Sequence, residues 1–275
     1  MTSSLPSYPY FRTTDEHIVG LPMTRAKINY GLDAPAICYG MFGIGIFGFL
    51  VSILSSIFLS NPLSLVLDSI AAIITAYGLG MGSYMVWSSR IGKLRTCEIL
   101  MNQIDNVRKW NGDETVLDVG CGRGLLLIGA AKRLKSGKAF GIDIWKNEDQ
   151  ANNSPDAAIE NAEIAGVADR VQIRTGDAKQ IPFADQSFDI VVSHWVIHNI
   201  EEQNDRSNAL QEMWRVLKSD GVLALADISF VPDYMKEIES WKPKSIHFDD
   251  GGLEAKIMGI LSGGTYCPQY LIVRK

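Results

Sequence analysis

The sequence predicts an α/β fold, a mostly parallel sheet with an antiparallel closing strand, preceded by an all-α helical hairpin. Three observations carry this expectation. Short apolar runs alternate with helical patterns from Thr115 onward; an acidic, glycine-studded turn, Asp-x-Gly-x-Gly-x-Gly, covers residues 118 to 124; and two long apolar runs, 36–60 and 63–87, precede both.

The turn is the most informative stretch. Thr115-Val-Leu-Asp-Val119 reads as a buried strand, and Leu125 to Leu134 as the helix after it. Gly120, Gly122 and Gly124 leave no side chains where a ligand lies flat on backbone, and the helix N-terminus offers N–H donors and partial positive charge to an anionic group. A dinucleotide fingerprint places its third glycine three residues after the second, where this chain has Leu125, so the spacing speaks against a nucleotide-dependent oxidoreductase.

The following elements come in a fixed order. Lys138 to Asp143 reads as a second strand ending in a carboxylate suited to ribose hydroxyls, and Arg170 to Arg174 as a third, leading to Gly176-Asp177-Ala178. Phe188 to Val192 is a fourth, opening onto Ser193-His194, and Gly221 to Asp227 is a fifth, approached through Arg215-Val216-Leu217-Lys218-x-x-Gly221. Ser154-Pro155 reads as the N-cap and first residue of the helix between strands two and three, and Asn204/Asp205 as the start of the one before strand five.

These motifs resemble those of the class I S-adenosylmethionine-dependent methyltransferases, over roughly residues 90 to 275. The small-molecule enzymes, including the quinone C-methylating type, are the most similar in pattern. The resemblance implies a Rossmann-like sheet and S-adenosylmethionine as cofactor, leaving as S-adenosylhomocysteine. It implies that Asp118, Gly120, Cys121, Gly122 and Gly124 cradle the methionine part, that Asp143 and Ile144 meet the ribose side, that Asp177 and Ala178 lie beside the adenine, and that Ser193 adjoins the cofactor. It also implies a closing antiparallel pair, expected at Glu254–Leu261 and Gln269–Arg274 and joined by Ser262-Gly-Gly-Thr265.

A sulfonium methyl is already electrophilic, so alignment and exclusion of water are the main tasks and a base is optional. For a weakly acidic acceptor an imidazole is suited to take the proton, and His194 and His198 are the candidates. Packing beside the loop is the alternative for His194, and capping of a short helix through Asn199 for His198. Trp195 is read as a packing residue, as is Trp145 unless it flanks the adenine, and His17 and His247 as surface or structural residues. Cys121 is read as a small residue in a crowded turn, not a nucleophile. The four cysteines have no Cys-x-x-Cys spacing, so neither a metal site nor a disulfide framework is expected.

Residues 36 to 60 carry no charge and 63 to 87 only Asp68, and each run is long enough to cross a hydrocarbon layer of about 30 Å. Asn61-Pro62 makes the break of a transmembrane hairpin. Buried helices of a soluble core are the alternative, disfavoured by length. Small residues at four-residue spacing, Ser52/Ser56/Ser60 and Ala72/Ala76/Gly80, would bring the two helices together or serve a homo-oligomer. Asp68, near the turn, is read as a solvated interfacial acid. Arg25 and Lys27 before the first span and Arg90, Lys93 and Arg95 after the second place both termini and the catalytic domain on the cytoplasmic side.

The expected organisation is an N-terminal cytosolic segment, 1–35, with no cleavable leader; the hairpin, 36–87; an amphipathic linker helix, 88–110, marked by Ile91, Leu94, Met101, Ile104 and Val107; and the cofactor domain, 111–275. Tyr8, Tyr10 and Phe11 are candidates for a lid, or belong to a free tail. A net charge of −5 argues against nucleic acid; membrane attachment favours a small, lipid-soluble acceptor, and the basic flanks are assigned to membrane lipids. A non-catalytic membrane scaffold or sensor that binds the cofactor is the competing function.

Overall fold

The computed structural model describes residues 27–59 and 61–275; Tyr8, Tyr10, Phe11, His17, Arg25 and Ser60 lie outside them. A helical hairpin, α1 (Pro35–Phe58) and α2 (Leu63–Trp87), leads through one π-helical turn, Ser88–Gly92, into α3 (Lys93–Val107). The α/β unit follows as β1 (Thr115–Val119), α4 (Leu125–Ala131), β2 (Lys138–Asp143), α5 (Pro155–Ile164), β3 (Val171–Thr175), β4 (Phe188–His194), α6 (Gln203–Val216), β5 (Leu217–Asp227), α7 (Val231–Ser240), β6 (Ser245–Asp249), α8 (Gly252–Leu261) and β7 (Gln269–Arg274).

The seven strands lie in the order β3-β2-β1-β4-β5-β7-β6, with β7 antiparallel to both β5 and β6 and the rest parallel. The order reverses at β1, so the carboxyl ends of β1, β2, β4 and β5 open onto one crevice, where open α/β sheets bind ligands. Both sheet faces are covered. One core joins α3 and α4 to Val116, Ala139, Ile190, Val222 and Ile272, and the other joins α6 and α7 to Leu117, Val191, Leu223 and Leu271. Adjacent strand residues thus point into opposite cores, as the two-residue period requires.

Several expectations need correction. Residues 252–261 form α8, not a strand; the antiparallel partner of β7 is β6, where Ile246 and Phe248 alternate with polar residues. A left-handed Gly251 (φ 71°) starts α8, and burial of Ala255, Met258 and Gly259 along one face follows the helical period. Helix α4 gives way at Lys132, where Arg133 and Leu134 donate to carbonyls three residues back. Helix α6 starts at Gln203 without a side-chain cap, whereas Ser154 caps α5 as expected, its Oγ accepting from the Ala157 amide at 3.2 Å. In α3, Cys97, Leu100, Met101 and Ile104 are buried in a core shared with α4, while Ile91, just before it, and Leu94 remain exposed.

The hairpin seam has a different period from the expected one. Ser64, Ala71 and Gly78 of α2 recur every seven residues and are buried against Cys38, Gly45, Gly48 and Ser55 of α1, while Ala72, Ala76 and Gly80 face outward. Seven-residue recurrence keeps one seam in contact along two nearly aligned helices. Asp68 is not simply solvated, since Ser52 and Ser56 donate to it across the hairpin at 3.3 and 3.2 Å. A Cβ on Gly78 would stand 2.4 Å from the Gly45 nitrogen and 2.7 Å from the Met41 carbonyl oxygen, backbone atoms that cannot turn aside. Gly78→Leu is therefore expected to destabilise the protein by about 1–3 kcal/mol. Gly80→Leu, with nothing within 4 Å, is the control that leaves the unfolding curve unmoved.

Candidate functional site

Strand β1 ends in a turn built from backbone bonds. The amides of Gly120 and Cys121 both donate to the Ile142 carbonyl at the end of β2, and the Gly122 amide donates to Asp143 Oδ2 at 2.8 Å. The Arg123 amide donates to Gln150 Oε1, and that of Gly124 to the Cys121 carbonyl. This differs from the free donors expected of the turn: its amides hold its own shape, and acceptor capacity comes from the carboxylates around it.

The glycines are required by backbone conformation, and Gly120 also by space. Gly120, Gly122 and Gly124 all have φ between 48° and 86°, and a Cβ on Gly120 would stand 2.2 Å from Val196 Cγ2. Asp118 is buried, and its Oδ2 accepts from the Leu127 amide at 2.8 Å, pinning β1 to α4. Burial, against that hydrogen bond and with Asp143 nearby, pushes its carboxyl up to about 8. Asp143 is buried and accepts from Gly122, from the Trp145 amide at 2.6 Å and from Asn153 Nδ2 at 3.2 Å. Two carboxylate oxygens have about four acceptor positions, so three donors leave room for a hydroxyl.

These residues line a cavity of about 1060 Å³. Asp118, Gly120, Cys121, Gly122, Asp143, Ile144, Asp177, Ala178, His194 and His198 all lie on its wall. Gly124 and Ser193 do not. Gly124 supplies the left-handed residue before α4, and Ser193 is buried with its Oγ donating to the Val119 carbonyl at 2.9 Å, tying β4 to β1. Trp145 is also absent from the wall, its indole N–H donating to Thr175 Oγ1. Burial among the carboxylates drives the Cys121 thiol further from its thiolate, as suits a packing residue.

The two histidines stand in different surroundings. His194 stacks on Trp195, ring centroids 4.6 Å apart, and its Nε2 is buried without a partner among the described residues. Burial, then the charges of Lys93 and His198, lowers its pKa to about 3. In the unfolded chain the ring regains its ordinary value of 6.5, so this neutral histidine stabilises the fold fully above pH 6.5, and the contribution is lost as pH falls toward 3. Thermal unfolding is expected to show stability falling by up to about 1.4 kcal/mol per pH unit across that window, with the slope flattened in His194→Gln.

His198 follows β4 on a short 3-10 turn, Ile197–Asn199, and its Nδ1 lies 2.5 Å from Asp227 Oδ1. The Asp227 carboxylate is buried at the end of β5 and also accepts from the His198 and Ile228 amides and from Tyr234 Oη. An Nδ1–H directed at Asp227 leaves Nε2 as the lone-pair nitrogen, the base-and-orienter pairing of acid–base sites. Sequence reading did not single out Asp227, although its place at the carboxyl end of a central strand was a signal.

A second group had no signal in the sequence. Lys93, at the start of α3, is buried and donates to the Tyr30 and Gly31 carbonyls and to both Asp33 oxygens. Gln150 Nε2 donates to Asp33 Oδ1, Ala34 donates to the Asp149 carbonyl, and Arg123 Nε donates to the Asn29 carbonyl. Residues 29–34 are thereby strapped over the turn, joining the entry of α1 to the cavity rim.

Residues 117–225 match the family model described as a methyltransferase domain. Over that stretch the chain is similar to a methyltransferase domain. Similar curated proteins include Methyltransferase GfsG of Streptomyces halstedii, 36% identical over 113 residues, which cover 41% of this chain and 37% of that one. A demethylmenaquinone methyltransferase of Lactobacillus johnsonii is 33% identical over 124 residues, covering 44% and 46%. The 27-O-demethylrifamycin SV methyltransferase of Amycolatopsis mediterranei is 34% identical over 119 residues, covering 43% and 40%. The chain thus spans less than half the length of these three relatives. In fold it is similar to a candidate sarcosine dimethylglycine methyltransferase from Galdieria sulphuraria, with a TM-score of 0.50 at 17% identity, covering 66% of this chain and 85% of that one. The sheet has the Rossmann-like methyltransferase fold, and S-adenosylmethionine is the cofactor that the motif resemblance implies. The side-chain-free turn beside a buried acid with acceptor capacity left over fits that cofactor.

Proposed function

We propose that this chain is a membrane-anchored enzyme that moves a methyl group from S-adenosylmethionine to a small, lipophilic acceptor at the cytoplasmic face of the bilayer. The observation that carries the reading is the extent of the cavity. It runs from Gly120, Gly122 and Asp143 to Ile37 and Met41 of α1 and Tyr77, Met81 and Met85 of α2, so one space joins the methyltransferase turn to the two apolar helices.

The membrane part is supported by exposure. Both helices are long and apolar enough to cross a bilayer, yet only 17% of the most apolar window of each is buried, unlike a soluble core helix. Phe58 and Ile73 are 76% and 69% exposed. Lys27, Arg90 and Arg95 flank the open end of the hairpin and no basic residue lies at its tip, which supports the cytoplasmic orientation.

In this reading Gly120 to Gly122 carry the amino-acid tail of the cofactor, Asp143 accepts from a ribose hydroxyl, and Ile144, Asp177 and Ala178 border the base. Bound there, the cofactor supplies an electrophilic sulfonium methyl. Asp118 pins the turn to α4, and Gly124 and Ser193 shape it from behind. His198, oriented by Asp227, takes the proton of a weakly acidic acceptor, and His194 borders the same space. The strap at residues 29–34 limits water at the rim. Methionines 41, 81 and 85 line the acceptor end with side chains that adapt to a long apolar body. Relatives named as demethylmenaquinone methyltransferases support a quinone-like acceptor.

Vesicle-reconstituted protein given methyl-labelled S-adenosylmethionine and a membrane extract is expected to place label in an organic-soluble product. Label confined to water-soluble acceptors would remove the lipophilic part of the reading. Tight calorimetric binding of the cofactor with no labelled product from any extract would favour a scaffold.

A further inference from the structure

We infer that α8 is a third membrane-inserted element, seated against lipid acyl chains with its C-terminal end inside the hydrocarbon, and that it forms the partition between lipid and the acceptor end of the cavity. The inference rests on the membrane reading of α1 and α2 above.

The first observation is the face that α8 leaves uncovered. Ala255, Met258 and Gly259 pack inward, while Leu253, Ile257, Ile260 and Leu261 are 74%, 47%, 81% and 45% exposed. At 100° per residue these four occupy one continuous stripe opposite the packed one. Charge is also graded along the segment. Asp249, Asp250, Glu254 and Lys256 lie in its first part, Lys256 paired with Asp250 at 3.1 Å, and residues 257–261 carry none.

The second observation fixes where that stripe sits. Tyr84 Oη donates to Glu254 Oε1 at 3.1 Å, and Tyr77 Oη donates to the Leu261 carbonyl at 3.0 Å. Seven residues separate the partners on each helix, in opposite directions, so α8 runs antiparallel along the last turns of α2 for about 10 Å at 1.5 Å per residue. Tyr77 lies ten residues, about 15 Å, before Trp87 at the end of α2. If α2 spans the bilayer, the Leu261 end of α8 descends with it, and the exposed apolar surface of one helix continues onto the other.

The third observation concerns the loop after α8. The Ser262, Gly263, Gly264 and Thr265 amides donate to the carbonyls of Met258, Ile260, Gly259 and Ser262, and Cys267 donates to Ile228. The Tyr266 amide donates to Ser262 Oγ, and Thr265 Oγ1 donates to the Ser262 carbonyl. A loop in water has no need to answer each amide internally; one at membrane depth does. On its inner side Met258, Ser262, Thr265 and Tyr266 line the cavity, so the element has lipid on one face and the acceptor space on the other.

The test uses the full chain in phosphatidylcholine vesicles, with a nitrobenzoxadiazole dye on a single introduced cysteine and the unsubstituted protein as the labelling blank. Ile260→Cys reports on α8, Ile73→Cys on the exposed face of α2, and Lys236→Cys on the water-facing side of α7. Doxyl-lipid quenching and blue-shifted emission at both Ile260 and Ile73, with iodide quenching only at Lys236, are expected. Lipid quenching at Ile73 but iodide quenching at Ile260 would overturn the inference and leave the anchor standing. Iodide quenching at Ile73 would overturn the anchor and this inference together.

Discussion

His198→Ala is expected to lower the methyl-transfer turnover number by about 10²–10⁴-fold toward an acceptor with a weakly acidic hydroxyl, while the affinity for S-adenosylmethionine changes little. His198 lies on the cavity wall, its Nδ1 is held by a carboxylate at 2.5 Å, and Nε2 is then the nitrogen left to receive a proton. Steady-state kinetics at saturating cofactor, with calorimetric cofactor binding in parallel, separates the terms. A fall in both by the same factor would move His198 from base to cofactor contact. Turnover retained in full would show that the acceptor is methylated without this base.

In that reading Asp227 acts through His198 as a positioning residue. It accepts from the ring, two backbone amides and Tyr234, so Asp227→Asn swaps an acceptor for a group that is half donor and turns the preferred tautomer around. The expected signature is a turnover loss accompanied by a changed pH profile, with cofactor affinity kept. A variant that merely loosened the end of β5 would lose stability without moving the profile.

Much of the fold was legible because its strands end in chemistry. The apolar runs of β1 and β2 stop at Asp118-Val119-Gly120 and at Asp143, and both strands fall at the expected residues; β3 is displaced by one. The failure at α8 has a physical cause. Ile257, Met258, Ile260 and Leu261 make an apolar run that composition assigns equally to a strand or a short helix, and the outward-facing Ile260 and Leu261 erase the polar face that would have marked a helix. The true partner strand, Ser245 to Asp249, carried a two-residue period in Ile246 and Phe248 but was short and edged by charge. At the site, Gly120, Gly122, Asp143 and Asp177 were legible as motif residues. Asp227 was legible only as a strand end, and the Asp33, Lys93 and Gln150 cluster not at all, because its members lie 60 and 117 residues apart from Asp33 and meet only once the hairpin folds back onto the sheet. The hairpin seam shows the same limit: two stripes of small residues are present on α2, at four- and seven-residue spacing, and only the packed partner tells which one is buried.

Asp143→Ala is expected to weaken S-adenosylmethionine binding by about 1.5–3 kcal/mol, roughly 10- to 100-fold, the scale for hydrogen bonds to a charged group. A second cost is built into the same side chain, since its loss leaves the Gly122 and Trp145 amides and Asn153 Nδ2 without their acceptor. Each orphaned donor that water does not reach costs about 1–3 kcal/mol, so the thermal midpoint should fall even without cofactor. Asp143→Asn separates the contributions. It keeps the shape and one acceptor oxygen but turns an NH₂ toward either Gly122 or the Trp145 side, so it should recover part of the stability while leaving most of the affinity loss. Calorimetry and thermal unfolding of both variants decide the assignment: a lowered midpoint with unchanged cofactor affinity would make Asp143 a brace for the glycine turn and move the ribose contact to another group on the wall. Affinity lost in both variants, with stability restored in only one, would tie the carboxylate charge itself to the ligand.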